Sequence, residues 1–164
     1  MADPRMEAGF LADIRTALVT VLQDVGGIGV VHGFERYAND LGKLKAHYLW
    51  TNPATNEPEI RGWFLRRLST AEGEGQRVVG WRVQGYLSLE DGAASELEFD
   101  ALIERIGEAF RDRETLIEHV FLNSANGDVD GLQVDESGPV IFAGVLCHGA
   151  QLRLVTRYDI DGWW

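Results

Sequence analysis

The sequence predicts an α+β domain in which a mainly antiparallel sheet carries two principal helices packed on one face. Three observations predict it. Two segments repeat apolar residues at helical spacing, several others show strand patterning, and the strand segments come in adjacent runs: helix, strands, helix, strands. Strictly alternating units, which would build a parallel sheet, are absent. The 164 residues are enough for one core and one domain spanning residues 1–164, with no internal repeat, linker or low-complexity stretch.

Asp3-Pro4 is a helix start, with Asp as N-cap and Pro at the first helical position. Phe10, Leu11, Ile14, Ala17, Leu18, Val21 and Leu22 then recur on one side of the helix that follows. Gly26-Gly27 stops it, and IGVVHG is a short apolar strand. Residues 34–42 are a polar connector. From Lys43 to Trp50 the residues alternate, with Leu44, Ala46, Tyr48 and Trp50 on one face, as in a half-buried strand. TNPATNEP is a loop, and residues 59–69 and 76–89 are two strands joined by TAEGEG in a hairpin. The second of these buries Val79, Trp81, Val83 and Leu87 and turns Arg82 and Gln84 the other way.

SELEFDALIERIGEAFRDR is the second helix, with Ser95 and Glu98 as a capping box and Phe99, Leu102, Ile103, Ile106 and Phe110 as its buried stripe. After it, TLIEHVFLNSANGDVDG joins an apolar patch to a turn-rich loop, GLQVDESG is a strand, and Pro139 to Tyr158 is the last and longest strand.

Composition narrows the function. No apolar run approaches the roughly 20 residues of a membrane span, and the N-terminal residues lack a secretory signal's apolar stretch. One cysteine makes no internal disulfide, which points to a reducing cytoplasm. A net charge of −11 and a pI near 4.7 oppose binding to DNA or an anionic membrane through a broad basic surface. The charge is segregated: Lys43, Lys45, Arg61, Arg66, Arg67, Arg77 and Arg82 face four acids between residues 43 and 82, whereas 14 acids oppose Arg105, Arg111 and Arg113 between 90 and 136. The two regions are either solvated faces or mutually attractive ones.

Tests for chemistry come out negative. GGIGVV precedes a strand instead of joining strand to helix, so it is no phosphate loop, and no GK[ST] occurs. His32, His47, His119 and His148 fall on separate segments without metal-ligand spacing. Asn126, Asp128, Asp130 and Gly131 match the opening of a calcium loop, but its twelfth position is Ser137 where a bidentate Glu is needed, so an acidic turn is the reading. Cys147 and His148 adjoin on a strand and therefore point to opposite faces, His148 with Leu146, Ala150, Leu152, Leu154 and Tyr158, and Cys147 with Gln151 and Arg153. They cannot act on each other; a base for Cys147 would have to come from elsewhere, such as His47 or His119. The sequence thus predicts no catalytic, cofactor-binding or metal-binding residues.

WRVQGYLSLEDGAASELEFDALIERIGEAFRD and GLQVDESGPVIFAGVLCHGAQLRLVTRY resemble, in layout and short motifs, the tail terminator (tail completion, minor tail protein) family of bacteriophages and prophages. The resemblance is strongest from Arg77 to Tyr158; the connector from Phe34 to Leu41 and the loop from Thr51 to Pro58 depart from it. It implies a structural, non-enzymatic virion protein that assembles six to a ring on the end of the tail tube, stops its polymerisation and presents the head-proximal joining surface. The implied partners are further copies of the chain, the tail tube protein and the head-tail connector protein, without sequence-specific nucleic-acid or membrane binding. The implied location is the virion tail, after assembly in the bacterial cytoplasm. The alternatives are another head-tail joining, neck or minor tail protein, a small cytosolic Cys147-dependent enzyme, or a small-ligand module. A ring needs two different patches on each subunit. The expected pair is a basic hairpin (Arg61, Arg66, Arg67, Arg77, Arg82) against an acidic helix region (Glu98, Glu104, Glu108, Asp112). Trp163 and Trp164 either fold back or dock on a partner.

Overall fold

The structure is a computed structural model and describes residues 9–111, 113, 115–122 and 131–160. The Asp3-Pro4 helix start, the core of the acidic turn, Asp112 and the two terminal tryptophans lie outside the described residues. Along the chain run α1 (Gly9–Gln23), β1 (Val30–His32), α2 (Leu41–Ala46), β2 (Leu49–Thr51), β3 (Pro58–Gly73), β4 (Gln76–Ser88), a 3-10 turn (Asp91–Ala93), α3 (Ser95–Arg111), β5 (Thr115–Ile117), β6 (Val120–Phe121), β7 (Gln133–Phe142) and β8 (Val145–Asp159). This is the expected α+β architecture.

The strands form one curled sheet in the order β1-β3-β4-β8-β6-β5, with β2 also on β3 and β7 also on β8. Every pairing is antiparallel except β1 with β3. Both long helices pack on one face. Ile14, Leu18 and Leu22 of α1 and Phe99, Leu102, Ile106 and Phe110 of α3 close over Trp63, Leu65, Trp81, Val83, Leu152 and Leu154. Trp63 stacks on Phe99, with centroids 5.8 Å apart at 14°. That stack requires Gly85, opposite Trp63 on β4, because a Cβ there would overlap the indole. Trp81 Nε1 donates to Thr156 Oγ1 at 2.9 Å, so the other central indole is satisfied inside the core.

Four expectations need correction. The alternating stretch from Lys43 to Trp50 is not one strand: Asp40 accepts a hydrogen bond from the Lys43 amide at 2.8 Å and caps a short helix, and the strand is confined to Leu49–Thr51. Eight residues of alternation are too few to outweigh a cap that satisfies an otherwise orphaned amide. The TAEGEG connection is mostly strand, with only Glu74 (φ +54°) and Gly75 (φ +73°) in a two-residue turn whose left-handed geometry matches the sheet twist. The predicted strand from Pro139 to Tyr158 is two strands, broken at Ala143 (φ +51°) and Gly144 (φ +78°) by a second turn of that kind; β7 instead continues GLQVDESG through Phe142.

The fourth correction concerns the start of α3. Ser95 is its first residue, but its hydroxyl accepts from the Glu90 amide at 2.8 Å and hydrogen-bonds His148 Nε2, and Glu98 extends to Arg61. No capping box forms, because both side chains have stronger long-range partners.

Candidate interaction surfaces

The Cys147-His148 neighbours separate as strand geometry requires. Cys147 is fully buried on the sheet face away from the long helices, in a small cluster with Tyr48, Ile60 and Phe64 that α2 and β2 help to cover. Burial pushes its thiol up to about 11, the nearby Lys45 charge opposing this only in part, so at neutral pH it is the unreactive protonated form. His148 lies on the helix face, stacked against Phe99 at 5.7 Å and 2.8 Å from Ser95 Oγ. The Ser95-His148 pair pins the start of α3 to β8 and sits beside a cleft of about 710 Å³ lined by Leu97, Asp100 and Pro139. Sequence reasoning missed this pair: its members are 53 residues apart and belong to no local motif.

The five arginines expected to form one basic patch are divided between the two faces of the hairpin. Arg61 belongs to the helix face and is buried; its guanidinium pairs with Glu98, donates to the Gly27 carbonyl at 2.7 Å and lies over the Trp50 ring at 5.0 Å. Arg61 and Glu98 are therefore partners within one chain. Arg77 is likewise held by its own hairpin, donating from Nε to Glu72 at 2.7 Å and from Nη1 to the Tyr158 hydroxyl at 3.1 Å. Arg67 pairs in register with Trp81 and shares the helix side with Arg15, whose pKa is lowered by burial first and by the Arg67 charge second.

Arg66 and Arg82 lie on the opposite, open face, directly abreast in the ladder, and Arg153 of β8 stands directly beyond Arg82. Adjacent strands lie about 4.8 Å apart, so the row of three spans about 10 Å. Arg66 pairs with Glu35 at 3.3 Å and Arg153 with Asp135 at 3.2 Å. Arg82, in the middle, has no carboxylate partner among the described residues, and its Nε is covered without an acceptor. Arg153 was placed on this face by the strand pattern, but its alignment with Arg66 and Arg82 follows from register, which the turns decide.

On the outer side of the helix layer, Glu104 and Glu108 are exposed as expected, and Glu96 and Asp100 extend the same line at four-residue spacing. None of these four makes an ion pair among the described residues. No three His, Cys, Asp or Glu side chains among the described residues come together as a metal-ligand set, and no described helix is long and apolar enough to cross a membrane. Glu136 and Ser137, at the end of the calcium-like spacing, are on β7. No protein-family model matches the chain, and no curated protein matches it.

Proposed function

We propose that this chain is a structural subunit of a phage tail, a terminator that assembles as a ring on the tube end, halts tube growth and offers the surface on which the head is joined. One observation carries the self-assembly on which this reading depends. β1 and β2 cover the outer edge of β3 only as far as Phe64; from Arg66 to Gly73 that edge has no strand partner among the described residues and is exposed. Its backbone donors and acceptors can accept an added strand, and the charges of Arg66, Arg67 and Glu72 guard it against indiscriminate pairing. The resemblance in layout supports the identity of the assembly, and the net charge of −11 suits a conduit past which DNA must move without sticking. Virion tail and host cytoplasm are the corresponding places of action, and tube protein, connector and further copies of the chain the corresponding partners. Tails produced without this chain are expected to show tubes of uncontrolled length that fail to join heads. Tubes of normal length that still join heads would refute the reading.

A further inference from the structure

The two outer surfaces of this molecule share an unusual property: each places like charges at nearest-neighbour spacing. Arg66, Arg82 and Arg153 are directly opposite one another on consecutive strands, an arrangement that weakens a sheet. Glu96, Asp100, Glu104 and Glu108 are four residues apart along α3, a spacing at which like charges weaken a helix. Neither surface is fully relieved within the chain, although Arg66 has Glu35 and Arg153 has Asp135. The central Arg82 lacks a carboxylate and the four helix acids lack a cation among the described residues. Nor can the surfaces meet within one chain, because the row is on the open face of the sheet and the acids are on the outer side of the helices packed against the other face.

We infer that the arginine row on the open face of the sheet is the seat for the acidic flank of α3 from a second copy of this chain. The dimensions agree. Three arginines across the strands span about 10 Å, and three successive helix acids, at about 6 Å per four residues, span about 12 Å. Long arginine side chains absorb that difference. Arg82 takes the central carboxylate, while Arg66 and Arg153, already half-neutralised by Glu35 and Asp135, flank it with their remaining donors. The contact is heterologous, since the two patches lie on opposite sides of the molecule, so it repeats from copy to copy and closes as a ring if the rotation permits. This inference rests on the proposed ring and replaces the broader basic and acidic pairing expected from sequence with specific residues: Arg61, Arg77 and Glu98 are excluded and Arg153, Glu96 and Asp100 enter.

A charge-swap mixture tests it. Two variants of the full chain are prepared, Arg82→Glu with Arg153→Glu, and Glu104→Lys with Glu108→Lys, with Arg66→Glu/Arg153→Glu as the substitute if the first does not fold. Sedimentation velocity at low salt is expected to show concentration-dependent association of the wild type and about a hundredfold weaker association of each variant alone. An equimolar mixture is expected to associate again, because the intact row of one variant meets the intact helix of the other. A mixture that stays monomeric, a variant that associates as the wild type does, or a wild type that stays monomeric at about 1 mM overturns the inference. So does loss of duplex-DNA binding by the arginine variant with self-association unchanged, which would assign the row to phosphate. These results leave the terminator reading to tail length and head joining, so the two fail separately.

Discussion

Replacing Arg61 by alanine tests the claim that this residue serves the interior of one chain. Its side chain is only 4% exposed, whereas that of its partner Glu98 is 47% exposed. Removing the guanidinium leaves the Gly27 carbonyl without its charged donor, a loss of about 1.5–3 kcal/mol, and abolishes the contact with the Trp50 ring, about 0.5–2 kcal/mol. Glu98 returns to water, so the ion pair itself contributes no more than about 1 kcal/mol. Together these losses come to about 2–6 kcal/mol, centred on about 4 kcal/mol, or a fall in Tm of about 10 °C for a chain of this length. Glu98→Gln loses only the last contribution, about 1 kcal/mol, because Arg61 keeps the Gly27 carbonyl, the Trp50 ring and the Glu59 carboxylate 3.4 Å from its Nε. Urea unfolding at low protein concentration, read by tryptophan fluorescence, measures both without interference from assembly. Equal losses for the two variants, or a loss below about 1 kcal/mol for Arg61→Ala, would refute the assignment.

Two other perturbations probe the neighbouring chemistry. Ser95→Ala leaves the His148 ring nitrogen and the Glu90 amide without their shared partner and is expected to cost about 1–3 kcal/mol in the same unfolding assay, whereas a neutral result would mean that the pair does not anchor α3. Cys147 bears on the alkaline limit of stability. Its folded thiol ionises only near about 11, above its unfolded value, so its contribution is complete below the unfolded pKa and is lost as pH rises through the folded one. Stability is therefore expected to decline between about pH 9 and 11, less steeply in Cys147→Ala, with burial of the Tyr48 hydroxyl, pushed up to about 12, adding to the decline above pH 10. An unchanged slope in the variant would contradict this burial.

Period and composition made the two principal helices, the β3-β4 hairpin and the buried stripe of α3 legible in the sequence, since each depends on residues close together in the chain. The break at Ala143-Gly144 was not, because alanine is a poor marker for a left-handed turn and the apolar alternation runs through it on both sides. Asp40 was a readable cap for α2, but the alternation after Lys43 competed with it over too few residues. The charged surfaces show the same division. Segregation of acid and base was visible, yet which arginine is buried with Glu98 and which three stand abreast depends on register between β3, β4 and β8. The Ser95-His148 contact is long-range in the same sense: a hydroxyl that reads as a local cap is drawn away by a histidine 53 residues distant.

The most direct measurement is electron cryomicroscopy of intact tails carrying this chain. The expected result is density for copies of this α+β subunit arranged as a closed ring at the head-proximal end of the tube, with the β3 edge and the open sheet face at the boundaries between copies. Tails whose head-proximal end is built without this chain, or copies distributed along the tube, would contradict it.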